Sequence, residues 1–118
     1  MRAKDELGRF GEEVACRHLA QAGAAILDRN WRCRDGELDI VVRDGGALVF
    51  CEVKTRSSTR FGSAAEAVVG PKAARIRRLA ARWLAEHPHP PSPVRFDVVL
   101  VFRPRQGPVS VEHLRGAF

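Results

Sequence analysis

Apolar positions recur along this chain with two different periods. Between residues 6 and 22, Leu7, Phe10, Val14, His18 and Ala22 return at helical spacing, and Gly23 ends the run. The spacing predicts an amphipathic helix. Residues 26–31 form a short β-rich stretch, and the polar turn RCRDG separates it from 38–43 and 47–55, which flank a glycine-rich turn. Strands joined by a hairpin are expected there. A loop, RSSTRFGS, leads to a second helix over 72–86, with Gly70 and Pro71 as its entry signal. The segment HPHPPSP then breaks the chain. Residues 94–102 are a near-continuous apolar run, as expected of a central strand covered on both faces, and 109–114 could add an edge strand. The order helix, three strands, helix, one or two strands predicts an α/β sandwich with a mixed central sheet.

A chain of 118 residues is one ordinary domain, able to bury a core without disulfide or metal staples. Its hydrophobic fraction of 45% and charged fraction of 29% are those of a soluble globular protein, and no apolar run is long enough to span a bilayer. No membrane association is expected. The start, MRAKDELGRFGEE, is charged and lacks the apolar core of a signal peptide, so a cytoplasmic protein is expected. Cys16, Cys33 and Cys51 are widely spaced with no CxxC pair. They are read as small buried hydrophobes rather than a disulfide framework or zinc site. The net charge of +6, made mainly by arginine, suits phosphate contacts and makes nucleic acid the leading partner. A basic solvated face would account for the same charge.

The predicted hairpin carries an unusual set of charges. Strand alternation puts Glu37, Asp39 and Val41 on one face and Leu38, Ile40 and Val42 on the other, while Leu48, Phe50, Glu52 and Lys54 share a face. A turn with an even number of residues sets Asp39 opposite Phe50 or Glu52, so Glu37, Asp39, Glu52 and Lys54 lie together. Cross-strand carboxylates repel, which folding alone would not select. Two such groups can share Mg²⁺ or Mn²⁺, which takes carboxylates together with water and substrate phosphate oxygens. A cation so held stabilises charge developing at phosphorus, and Lys54 can orient the attacking water. These parts suit phosphodiester hydrolysis. A salt-bridged polar patch at a sheet edge is the alternative reading.

GRFGEEVACRHL, RNWRCRDGELDIVV, LVFCEVKTRSSTRFGSAAEAV, the basic helix and RFDVVLV together resemble the bacterial YraN family of the PD-(D/E)xK nuclease superfamily. The resemblance spans residues 8–102. It implies a restriction-endonuclease-like three-layer sandwich, α-β-β-β-α-β(-β), similar to archaeal Holliday-junction resolvases. It also implies a metal-dependent nuclease acting on DNA, branched or junction DNA included, with a homodimer as the assembly to test. A nucleic-acid-binding module that keeps the fold without the reaction is the alternative. The superfamily motif falls on Asp39, Glu52 and Lys54, and its helical glutamate on Glu12. The proline of the motif is absent, since Gly36, Glu37 and Leu38 precede Asp39. Asp39, Glu52 and Glu12 are thereby the expected ligands of Mg²⁺ or Mn²⁺.

Helix geometry bears on Glu12 independently. At about 100° per residue, Glu12 lies at the margin of the apolar stripe on the side of Ala15 and Leu19, whereas Glu13 points away. Glu37 shares the acidic face but ranks below Glu12. In KAARIRRLAARWL, Ile76, Leu79, Ala80, Trp83 and Leu84 form the expected buried face, with Arg75, Arg78 and Arg82 beside it. Lys72, at the helix start, can point along the sheet end toward the carboxylates. Lys72, Arg75 and Arg78 are read as phosphate contacts, and Arg56 and Arg60 extend that track. His18 is expected in the core, Trp31 is open to base stacking, and Asp97 is expected to pair with an arginine.

Overall fold

Gly45 and Gly46 close the central hairpin, and Gly45 has φ 60°, a value that favours glycine at the first central position of a tight hairpin turn. The computed structural model of this chain describes residues 3–58 and 70–118. Its elements are α1 (Ala3–Gln21), β1 (Ala25–Cys33), β2 (Gly36–Asp44), β3 (Ala47–Arg56), α2 (Gly70–Glu86), β4 (Val94–Phe102) and β5 (Ser110–Leu114). The strands form one sheet in the order β1-β2-β3-β4-β5. Every neighbouring pair is antiparallel except β3 and β4, which run parallel and need the crossover that contains α2. The sheet is therefore mixed, in the predicted element order.

Each helix covers one face. Ala15, Cys16 and Leu19 of α1 pack with Ile40, Val42, Val49, Cys51, Val99 and Val101. On the other face Ile76, Leu79, Ala80 and Trp83 of α2 pack with Leu38, Val41, Phe50 and Val98. Phe50 meets Trp83 edge to face at 5.7 Å between ring centroids, an arrangement that aromatic quadrupoles favour. The result is a three-layer α/β sandwich.

Two expectations need correction. The buried stripe of α1 is centred on Gly11, Ala15, Cys16 and Leu19, while Phe10, Val14 and His18 are only half-buried. Small residues win because they bring the helix backbone close to the sheet; a Cβ at Gly11 would collide with the Thr55 side chain. Leu38 packs with Val41 on the α2 face rather than with Ile40 and Val42. Simple alternation fails between Leu38 and Ile40, on either side of Asp39.

The cysteines are free; Cys16 and Cys51 are buried and Cys33 is half-buried against the α2-side core. Trp31 is also half-buried against that core. No described helix is long and apolar enough to cross a membrane.

Candidate active site

The irregularity at Asp39 is where the site forms. The β2–β3 ladder runs from Asp44↔Ala47 to Ile40↔Cys51. One more step would place Asp39 opposite Glu52, the second of the two registers allowed by sequence. Instead, Asp39 Oδ2 accepts the Val53 N–H at 2.8 Å. On the other side of β2, Arg29↔Ile40 and Trp31↔Leu38 are paired, and Asn30 between them is not. Asn30 has φ 52°, the one positive φ at a non-glycine among the described residues. Asparagine tolerates this conformation better than most residues. Regular pairing is thus interrupted on both sides of Asp39, and the ends of β1, β2 and β3 leave room for α1 to contribute a side chain.

That side chain is Glu12. Glu12, Asp39, Glu52 and Lys54 line one cavity of about 320 Å³, together with Arg56. Glu13 is exposed and pairs with Arg29 at 3.1 Å and Arg17 at 3.4 Å, in keeping with the helix-angle argument. With its amide turned to donate, Asn30 reaches Glu12 Oε2 at 2.9 Å and Glu37 Oε1 at 3.0 Å. Carboxylate oxygens of Glu12, Glu37 and Asp39 lie within 4.8 Å of one another. Glu37, ranked below Glu12 in the sequence, is therefore part of the cluster, where it also accepts a hydrogen bond from Arg32 Nε at 2.9 Å. Asn30 was missed altogether. Its left-handed bend leaves no periodic signal, and only its place opposite Asp39 reveals it.

The electrostatics follow from crowding. Burial, then the adjacent negative charge of Glu52, pushes the Asp39 carboxyl up to about 8. Glu12 is raised by burial and by Glu37, with the Asn30 amide opposing. Glu52 is met by two cations at one oxygen: Lys54 Nζ lies 3.4 Å and Lys72 Nζ 3.1 Å from its Oε1. Burial and the neighbouring Lys72 hold Lys54 below the ordinary lysine range. Hard oxygen donors gathered in one cavity fit Mg²⁺ or Mn²⁺ better than a soft metal.

The remaining predicted residues divide. Lys72 points along the sheet end to the carboxylates, as its position at the start of α2 allows. Arg75 and Arg78 are exposed on α2 outside the cavity. Arg82 is engaged with Glu86 at 3.0 Å, and the Arg77 guanidinium lies 4.7 Å from the Phe96 ring centroid. Arg60 lies outside the described residues. Asp97 is fully buried and pairs with Arg95 through both carboxylate oxygens at 2.9 Å, so its expected arginine partner is the one two residues before it.

Comparison with known proteins adds the family. A UPF0102 protein from Frankia alni is 86% identical over 118 residues, covering 100% of this chain and 98% of the relative. Another from Streptomyces griseus is 56% identical over 117 residues, covering 98% of each. A third, from Acidothermus cellulolyticus, is 51% identical over 126 aligned positions, covering 98% of this chain and 96% of the relative. The model of the uncharacterised protein family UPF0102 matches residues 11–101. The chain therefore belongs to the UPF0102 family, in agreement with the YraN resemblance carried by its sequence.

Proposed function

We propose that this protein is a divalent-metal-dependent nuclease that hydrolyses phosphodiester bonds in DNA, with branched or junction DNA as the first substrate class to test. The observation that carries the reading is the shared cavity. Glu12 from a helix and Asp39, Glu52 and Lys54 from two strands line it together, although folding stability gives no reason to crowd carboxylates at a half-buried position.

Asp39, Glu12 and Glu37 offer the mutually close carboxylates for Mg²⁺ or Mn²⁺, with Glu52 beside them. When bound, the ion would withdraw charge from the reacting phosphate. Lys54 is the residue suited to move a proton. Because burial and Lys72 disfavour its charged form, its Nζ can accept a proton from attacking water more readily than an exposed lysine can. Glu52 holds both lysine amines at the site through one oxygen. In this reading Arg56, on the cavity wall, and the exposed Arg75 and Arg78 of α2 would meet flanking phosphates.

The test is incubation with supercoiled, single-stranded and branched DNA, and with RNA, in Mg²⁺ or Mn²⁺. Cleavage of DNA that disappears with chelator supports the reading. No cleavage of any substrate at high enzyme excess counts strongly against it.

A second reading is a nucleic-acid-binding module without the reaction. It is favoured by the two lysines on Glu52, which neutralise that carboxylate without a metal. Mn²⁺ titration separates the two readings, because the enzyme requires Mn²⁺ binding that depends on Asp39 and the binding module does not. Sedimentation of the DNA complex tests the homodimer suggested by the resolvase analogy.

A further inference from the structure

The two faces of β3 meet different helices. Cys51 and Val53 pack on the α1 side, Phe50 packs on the α2 side, and Glu52 is met by Lys72 of α2. Alternation puts Thr55 on the α1 face, where it lies against Gly11. Glu12 follows Gly11 in the helix, so its carboxylate comes from one side of the sheet end to meet Glu52, presented from the other. How near the α1 backbone lies to β3 decides whether it reaches. That depth is set at Gly11, which is buried. A Cβ there would stand 2.8 Å from Thr55 Cβ and 2.9 Å from its Cγ2. Carbon atoms pack at about 3.5–4.0 Å, so a side chain at Gly11 lifts this turn of the helix by about 1 Å. Its neighbours limit rotation from two flanks. The Arg103 guanidinium lies 4.5 Å from the Phe10 ring centroid, and the Arg103 N–H donates to Arg56 O at 2.8 Å at the end of β3. On the opposite flank Glu13 is held by Arg29 of β1 at 3.1 Å.

We propose that Gly11 and Thr55 are positioning residues, whose contact seats α1 at the depth from which Glu12 reaches the cavity it shares with Asp39 and Glu52. The proposal rests on the metal-dependent reading of that cavity for its ligand, Mg²⁺ or Mn²⁺. Thr55 itself lines the cavity, so the seat is part of its wall. A working site holds its groups to within about 0.5 Å, and a lift of about 1 Å therefore takes Glu12 out of place. The rest of α1 can stay packed, because Ala15, Cys16 and Leu19 anchor it farther along. Glycine here serves the reach of the residue after it as well as the packing of the helix.

The experiment follows two readouts in the full chain, with folding checked by thermal melting. One is Mn²⁺ affinity by calorimetric titration. The other is the NMR signal of the Asn30 side-chain amide, which donates to Glu12 Oε2 at 2.9 Å and so reports the place of Glu12 without metal. Gly11→Ala is expected to shift the Asn30 signal and to lose about tenfold or more in Mn²⁺ affinity, the scale for disturbing the support of a metal ligand. Thr55→Gly removes the atoms a Cβ would strike, so Gly11→Ala combined with Thr55→Gly is expected to bind Mn²⁺ within about threefold of Thr55→Gly alone. In a Glu12→Gln background, Gly11→Ala is expected to add no more than about a twofold change, because both act through one carboxylate. Unchanged Mn²⁺ affinity and Asn30 signal in folded Gly11→Ala overturn the seat. So does an equal loss of Mn²⁺ affinity with and without Glu12, which makes Gly11 a packing residue only. Should Gly11→Ala not fold, the combined variant carries the test, and a deficit of about tenfold against Thr55→Gly overturns the seat. A parent that binds no Mn²⁺ overturns the metal reading, and the Asn30 signal then decides the seat alone. Moved by Gly11→Ala and restored by Thr55→Gly, it supports the seat; unmoved, it overturns it.

Discussion

Lys72 Nζ sits 3.1 Å from Glu52 Oε1, tying the first turn of α2 to β3 inside the candidate active site. The helix that presents the exposed arginines Arg75 and Arg78 is thereby fastened to the strand that presents Glu52 and Lys54. The ion pair adds to the core packing of α2 on the sheet and links its exposed arginines to the candidate active site. A metal ion held by Glu52 in the proposed reaction would compete with Lys72 for that carboxylate.

That competition gives the first prediction. Lys72→Ala frees Glu52 of one cation, so Mn²⁺ affinity is expected to rise severalfold while DNA affinity falls. The pair is partly exposed, so folding stability should change by no more than about 1 kcal/mol. Calorimetric titration with Mn²⁺, paired with thermal melting, checks this. A fall in metal affinity would show that Lys72 supports the carboxylate instead of masking it.

Lys54→Ala separates chemistry from binding. If Lys54 accepts the proton of the attacking water, cleavage falls by about 10²-fold or more, the usual scale for loss of a positioned proton-transfer group. DNA affinity should hardly move, because Lys72 and Arg56 remain. Single-turnover cleavage and equilibrium binding on one substrate read the two effects separately, and equal losses in both would make Lys54 a phosphate contact.

Much of this site is legible in the sequence, and what is not has identifiable causes. Glu12, implied by the family resemblance, could be separated from Glu13 by helix angle because α1 is regular, and the hairpin faces of Phe50, Glu52 and Lys54 follow from period-two alternation. Alternation failed at Leu38, because β2 is irregular at Asp39 and β1 is irregular at the opposing Asn30. A left-handed asparagine is a local conformational choice that no periodicity encodes. The same bend brings Glu37 to Glu12 through the Asn30 amide, which explains why Glu37 ranked below Glu12 from its strand position. The misplaced stripe of α1 has a different origin. Weight given to large residues such as Phe10 and Val14 overlooks burial achieved by small ones, and Gly11 and Ala15 bury the helix by closeness rather than by bulk.

Arg75→Ala with Arg78→Ala addresses the exposed face of α2. Both residues are exposed, so folding should be unaffected. DNA binding should weaken for all sequences alike, and the slope of log affinity against log salt should fall by about one unit per lost phosphate contact, because each contact releases condensed counterions. Fluorescence anisotropy across a salt series measures the slope. An unchanged slope would leave these arginines as a solvated face.

Asp39, half-buried on β2, and Asp97, fully buried on β4, provide the last prediction, because the same substitution should move them in opposite directions. Asp39 is crowded by Glu52 and burial, which push its carboxyl up to about 8. Its charged form therefore opposes folding. Asp39→Asn removes that charge and keeps an oxygen to accept the Val53 N–H, so the melting temperature should hold or rise while Mn²⁺ affinity falls. Asp97 is the reverse case. Burial alone would raise it, but Arg95, the Gly116 N–H at 2.9 Å and His113 Nε2 at 2.6 Å overcome that effect and hold it below the ordinary aspartate value. A carboxylate whose folded pKa lies below its unfolded pKa stabilises fully above the unfolded value and loses that contribution as pH falls through the folded one. The Asp97 contribution is therefore present at neutral pH and disappears only below about pH 4. Asp97→Asn breaks a buried charge pair and leaves Arg95 short of its main partner, at an expected cost of about 3–5 kcal/mol at neutral pH. Because the parent has itself lost the Asp97 contribution in strong acid, the gap between parent and Asp97→Asn should narrow there. Melting curves from neutral pH into the acid range, run with and without Mn²⁺, check both residues. Destabilisation by Asp39→Asn as large as that by Asp97→Asn, with no effect on Mn²⁺ binding, would mean that both carboxylates serve the fold.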